Sequence, residues 1–240
     1  MTGDERILSV VIPCYNERAT IREILGRVSA QRIVGEVIVV DDGSTDGSRP
    51  LLGEIQASWP ATAPPLRVLL QTANRGKAAA LREGFRRARG PLTLVQDADL
   101  EYDPSDYPRL ARPVLDGEAD VVYGSRFAVF PRPIPEFWHF FGNRLLTMLS
   151  NLMTGLDLTD METCYKLFRT ELLRDIPLRS EGFGFEPEIT AKIARRRCRI
   201  REVPISYRGR SRSEGKKIGW RDGIQAAWLI LEHALVDDPR

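Results

Sequence analysis

The sequence predicts a single α/β domain built on a mostly parallel central sheet flanked by helices. Three observations predict it. Nearly all-apolar runs, the mark of strands covered on both faces, alternate with segments of helical period. That alternation repeats through the first hundred residues with short connections, as β-α units do. Acidic residues also gather just past several of the apolar runs, at the sheet edge where ligands bind. At 240 residues and 42% hydrophobic content the chain can bury one substantial core. No linker or internal repeat divides it.

The elements follow in order. "ILSVVIP" is a strand, and "TIREILGRV" places Ile21, Ile24, Leu25 and Val28 at helical spacing. Thr20 and Glu23 have the spacing of a capping box at its start. "GEVIVVDDGS" and "LRVLLQ" read as the second and third strands, and "GKAAALREGFRRA" as a helix. "LTLVQDADLEYDP" opens as a buried strand after the Gly90-Pro91 turn and then carries an acid at every second position. If the chain stays extended, Asp97 and Asp99 project from one face of the strand end. Asp103 or Ser105 is placed to cap the helix "YPRLARPVL". "DVVYGSRF" is another strand, "IREVPISY" is strand-like, and "WLILEHALVDDPR" ends the chain as a short helix and polar tail.

Two carboxylates on one side of a strand end require a cation, a proton or a basic partner. A hard divalent metal bound through oxygen meets that need, whereas capping explains only Asp103. The acids of "VVDDGS" and "VQDADLE" fall at the same sheet edge as Tyr15 and Glu17. Together these positions outweigh any one of them.

Composition excludes several classes. A net charge of +2 does not suggest a nucleic-acid binder, although residues 195–221 oppose many Arg and Lys with only Glu202 and Glu214. Three widely spaced cysteines suggest neither a disulfide framework nor a zinc site, which suits the cytoplasm. No signal-peptide pattern opens the chain and no apolar run is long enough for a membrane span. The expectation is a soluble protein, or one lying on a membrane surface.

"VVIPCYNE", "VIVVDDGSTDGS", "NRGKAAALREGF", "QDADLEYDP" and "VVYGSRF" occur in the order found in family 2 glycosyltransferases of the GT-A fold, which the chain resembles from Val10 to about Asp222. "REVPISYRGRSRSEGKK" resembles the dolichol- and polyprenyl-phosphate mannosyltransferase branch. The resemblance implies an inverting transfer of mannose or glucose from GDP-mannose or UDP-glucose to a polyprenyl phosphate. The site would lie at the cytoplasmic face of a membrane, with a membrane subunit as a further partner. It implies Mg2+ or Mn2+ on Asp97 and Asp99, with Glu101 standing where the family often has Gln. Pro13, Tyr15, Glu17, Asp41, Asp42 and the backbone of Ala98 would hold the donor, Arg126 would face phosphate, and Arg210 and Lys216 would cover the diphosphate from a basic lid over residues 208–220.

No Ser-His-Asp or Cys-His arrangement is evident. A phosphate acceptor needs no base, because its second pKa near 6 leaves it ionised at neutral pH. If a base acts, Asp160 or Glu162 in "TDMETCYK" is the candidate, and with a lipid phosphate the amide of either should leave substantial transfer. The alternatives are a family 2 enzyme acting on a glycan hydroxyl, a nucleotidyltransferase, and a nucleotide-sugar-binding scaffold. A nucleotidyltransferase would usually show a Gly-rich basic loop where this chain has "CYNERAT".

Within residues 131–156, Phe137, Phe141, Leu145, Met148 and Leu152 recur at helical spacing, widened by Trp138, Leu149 and Met153. Asn143, Arg144, Thr147, Ser150 and Asn151 supply a polar side. A core helix is the ordinary explanation. The Trp and three Phe also suit a helix lying in a lipid interface, and part of this face is expected to be exposed.

Overall fold

A computed structural model describes residues 6–127, 137–182, 184–209 and 220–235. Seven strands form one sheet in the order β3-β2-β1-β4-β6-β5-β7. They are β1 (Leu8–Cys14), β2 (Val34–Asp41), β3 (Leu66–Leu70), β4 (Leu92–Val95), β5 (Val121–Ser125), β6 (Lys166–Arg169) and β7 (Ile200–Pro204). All pairings are parallel except those of β6, which runs against both β4 and β5. Strand β6 lies inside "DMETCYKLFR", a stretch with too few apolar residues to announce a strand. Its place is decided by β4 and β5 on either side.

The helices are α1 (Ile21–Ser29), α2 (Ser48–Ala57), α3 (Lys77–Arg87), α4 (Tyr107–Leu115), α5 (Phe137–Thr154), α6 (Thr170–Asp175), α7 (Phe185–Arg195) and α8 (Trp220–Leu235). Helix α1 buries Ile21, Ile24, Leu25 and Val28, as its spacing requires. Helix α3 lies so close to β1 that a Cβ on Gly84 would sit 2.2 Å from Val11 Cγ1. Its alanines and Gly84 allow that approach, and the strand valines and isoleucines fill the core between. Helix α8 is longer than the short closing helix read from the sequence.

Three local expectations change. Strand β4 stops at Val95 and residues 98–101 form bends, so Asp97 lies past the strand end and Asp99 within the bend that follows. Asp99 Oδ1 accepts from the Glu101 amide at 3.1 Å, the short-range bond by which Asp draws a chain out of extension. The capping box at Thr20 is not made: Thr20 Oγ1 donates to Glu17 Oε2 at 3.0 Å and caps no amide. Asp103 accepts from Ser105 N at 2.9 Å but so caps the short 3-10 turn Pro104–Asp106, whereas α4, starting after Asp106, has no side-chain cap.

The third change concerns α5. Part of its apolar face is exposed, as expected, with Phe141, Leu145, Met148 and Leu152 51% to 80% exposed; the change is that Thr147 and Ser150, assigned to its polar side, are buried. Thr147 Oγ1 accepts from Met161 N at 3.1 Å, and Asn151 bonds both polar groups of the Leu158 backbone. The hydrogen bonds of the following loop draw the polar groups inward. Leu146, Leu149 and Met153 still pack on the core. Helix α8 packs beside α5 and adds Ile224 and Trp228, 62% and 66% exposed, to the outer surface. The side chains of Phe137 and Trp138 lie outside the described set.

Candidate active site

The parallel strands end along one edge, and the loops there are tied together by hydrogen bonds. After β1, Asn16 takes a positive φ of 56° and accepts from Thr45 N at 2.8 Å. Asn tolerates that conformation better than most residues. Asn16 N donates to Ser44 Oγ and Glu17 N to Ser48 Oγ, each at 3.0 Å. The ends of β1 and β2 and the loops after them are therefore one unit, carrying Pro13, the partly exposed Tyr15, Glu17, Asp41 and Asp42.

The two aspartates of "VVDDGS" have different partners. Asp41 is fully buried; its Oδ2 accepts from Arg49 Nε at 2.8 Å, while Oδ1 is buried without a hydrogen bond. A buried orphan acceptor is costly and suits a donor group on a ligand. Asp42 accepts from the amides of Arg75 and Gly76 at 2.8 and 2.7 Å, although burial pushes its pKa up. Gly76 has φ +86°, and a Cβ there would lie 2.4 Å from the Gly182 backbone. Only glycine fits at that crossing, which joins the start of α3 to the segment before α7.

Lys77, the next residue, links the third loop. Its Nζ lies 2.9 Å from Asp97 Oδ1 and 3.0 Å from Glu186 Oε1. Burial opposes its charge, but the two carboxylates outweigh that cost and hold its pKa well above the usual lysine range. Ala98 is buried beside Asp97. Glu101 Oε2 accepts from the Tyr207 hydroxyl at 2.9 Å.

Arg126, just past β5, forms a bidentate pair with Asp160: Nε to Oδ2 and Nη2 to Oδ1, both 2.7 Å. The Arg126 amide also donates to Asp160 Oδ2 at 3.0 Å. Asp160 is fully buried and both its oxygens are engaged, so accepting a substrate proton would require this pair to open. Removing its charge would leave Arg126 without its counter-ion. Glu162 differs. Its Oε1 is buried without a hydrogen bond, and burial, with Glu186 next, pushes its pKa up to about 7. Nearby Lys166, fully buried, donates to the carbonyls of Met161 and Thr163 and is lowered by burial to about 8.

Lys77, Glu186, Lys166 and Tyr207 were not singled out from sequence. Lys77, Lys166 and Tyr207 stand in stretches quoted above, "NRGKAAALREGF", "TDMETCYK" and "IREVPISY", and Glu186 in none of them; no local spacing pairs any of the four with the acids. Arg210 and Lys216, and most of the expected lid, lie outside the described residues. A cleft of about 1100 Å³ opens between the start of α1 and segments 100–103 and 206–209, lined by Glu17, Asp46, Glu101, Tyr207 and Arg208 among others.

Among the described residues, no three His, Cys, Asp or Glu side chains are gathered into a ready metal cage, so Asp97, Asp99 and Glu101 do not form one. Mg2+ does not demand one, because one or two carboxylates plus substrate phosphates and water commonly complete its shell. The oxygen-rich pair Asp97 and Asp99 fits such a partial site.

The sequence matches the description "Glycosyl transferase family 2" over residues 9–177. It is 35% identical to the undecaprenyl-phosphate mannosyltransferase of Micrococcus luteus over 96% of this chain and 99% of that protein. It is 30% identical to the dolichol-phosphate mannosyltransferase of Pyrococcus furiosus over 88% of this chain, but spans only 59% of that protein. Among solved structures, glucosyl-3-phosphoglycerate synthase of Mycobacterium tuberculosis, crystallised with Mn2+ and UDP-glucose, superposes with a TM-score of 0.73 over 97% of this chain and 80% of that one, at 24% identity. The match across the strand-end loops, a relative of nearly equal length and the shared sheet lead to one conclusion: the chain belongs to glycosyl transferase family 2 and has the GT-A fold.

Proposed function

We propose that the protein transfers mannose or glucose, with inversion, from GDP-mannose or UDP-glucose to a polyprenyl phosphate at a membrane surface. An acceptor phosphate oxygen attacks the anomeric carbon, the bond to the diphosphate breaks, and the nucleoside diphosphate leaves with the electron pair. Pro13, Tyr15, Glu17, Asp41 and Asp42 line the nucleotide end, and the orphaned Asp41 Oδ1 would take an N–H donor there. Mg2+ or Mn2+, held by Asp97 and Asp99, would neutralise charge on the leaving diphosphate. Arg126, oriented by Asp160, supplies a cation for a phosphate, and Arg210 and Lys216 would add two more.

The observation that carries this reading is the Arg126–Asp160 pair. It fixes the Arg126 guanidinium beside the sheet edge, which supports a phosphate-facing role, and it occupies the carboxylate best buried for base catalysis. An ionised phosphate acceptor needs no base. The Micrococcus relative, named for a lipid-phosphate acceptor and nearly the same length, supports the same class. The exposed apolar side of α5 and α8 supports a membrane-surface location, since no helix among the described residues is long and apolar enough to cross a membrane.

A second reading, transfer to a glycan hydroxyl, is favoured by one observation: Glu162, raised to about 7, is tuned for a general base. The test is transfer of labelled sugar from each donor to undecaprenyl phosphate, undecaprenol and free sugars. The first reading expects product only with the phosphate and near-full activity in Glu162→Gln. Transfer to an alcohol with an inert phosphate establishes the second. Vesicle binding without any other protein shows whether a membrane subunit is dispensable.

A further inference from the structure

Segments distant in the chain meet at Tyr207. Its hydroxyl donates to Glu101 Oε2 at 2.9 Å, the Arg208 amide donates to the Glu101 carbonyl at 2.8 Å, and Tyr207 bridges to Tyr102. The neighbouring Ser206 amide donates to Asp106 Oδ2 at 2.6 Å. Residues 206–208 are thus fastened along the segment that follows Asp99. The Tyr207 ring lies against Tyr102, centroids 5.2 Å apart, and the Arg126 guanidinium lies 5.2 Å from its centroid. Phe127 is a second ring near the same guanidinium, at 5.4 Å.

We propose that Tyr207 is a positioning residue for the donor diphosphate, and that Glu101 acts as its anchor and not as a ligand of the metal. Arg126 is fixed in its plane by Asp160 and over its face by Tyr207, while Tyr207 is fixed by Glu101, two residues after Asp99. One side chain therefore sets the spacing between the carboxylate loop and the phosphate-facing cation. Phosphate recognition is steep in such spacing, since small misplacements cost large factors in rate. The glutamate is also chemically apt. An ionised carboxylate accepts a stronger hydrogen bond from a phenol than an amide does, so the chain has a reason to carry Glu where the family often carries Gln. This inference rests on the reading of Asp97, Asp99 and Arg126 as the diphosphate site.

The test measures binding of GDP and UDP with Mg2+ by calorimetry, beside near-ultraviolet circular dichroism as a check of folding. Tyr207→Phe removes one oxygen and should weaken binding about tenfold, as loss of a hydrogen bond to a charged group does. Glu101→Ala should do the same, and the double variant should be no weaker than either single one, because both remove one interaction. Glu101→Gln, which keeps an acceptor, should recover most of the loss, and the Mg2+ midpoint should follow nucleotide affinity. Losses that multiply to about a hundredfold in the double variant would overturn the proposal. So would a silent Tyr207→Phe beside a Glu101→Gln that raises the Mg2+ midpoint tenfold, for then Glu101 is a metal ligand. If the wild-type protein binds neither nucleotide with Mg2+, the diphosphate reading fails and takes this one with it.

Discussion

At the scale of single residues, the site is a set of buried charges whose partners determine their use. Asp160 holds Arg126 through three contacts and is fully buried, so Asp160→Ala leaves a cation with little solvent to replace its partner. The expected loss is about 3–5 kcal/mol, read from the denaturant midpoint at constant slope. A loss under about 1 kcal/mol would show that the pair does not hold the loop. Glu162 has the opposite economy. Its folded pKa, about 7, exceeds its ordinary 4.5, so between these values the folded state keeps a proton that the unfolded state releases. Its contribution is full below 4.5 and is lost as pH rises through 7. Glu162→Gln should therefore gain stability relative to wild type between about pH 5 and 7.5, by a few degrees in Tm. An unchanged difference at the two pH values would mean that Glu162 titrates normally.

At the scale of elements, α5 is the helix whose orientation matters most. Leu145, Met148 and Leu152 face outward, whereas Thr147 is buried and bonded to the Met161 amide. Leu152→Glu should change stability by no more than about 0.5 kcal/mol, while Thr147→Val should cost about 1–3 kcal/mol by orphaning a buried amide. A reversed order would mean the helix is turned the other way. On the proposed membrane reading, Leu145→Glu with Met148→Glu should also abolish most binding to anionic vesicles and leave nucleotide binding in place. Each apolar side chain withdrawn from lipid forfeits about 1.5–3 kcal/mol of burial. Vesicle binding equal to wild type would place the membrane contact elsewhere.

At the scale of the whole molecule, the sheet brings loops from β1, β2, β4 and β5 to one edge, and a ligand joining them should stabilise the fold as a unit. GDP or UDP at a hundredfold excess over its dissociation constant, with Mg2+, should add about 2.7 kcal/mol, or roughly 5–10 °C in Tm. Asp99→Asn should keep the circular dichroism of wild type and lower transfer at least about a hundredfold, as loss of charge stabilisation does. Full turnover of that variant in a chelator would exclude the metal.

The apolar strands, the period of α1 and α3, the acids past β2 and β4 and the family itself were legible in the sequence. Each of these is written locally, in a run of side chains with one period or in a short motif. Strand β6, the inward turn of Thr147 and the end of β4 before Asp97 were not legible. They depend on competing hydrogen bonds that a period does not record. The partners of the charges were the least legible. Arg126 meets Asp160 across 34 residues and Glu101 meets Tyr207 across 106. Sequence supplied the list of charged groups and the edge where they would gather. Only the tertiary structure decided which carboxylate a cation neutralises, because that choice is made by distance and burial between segments that the chain order keeps apart.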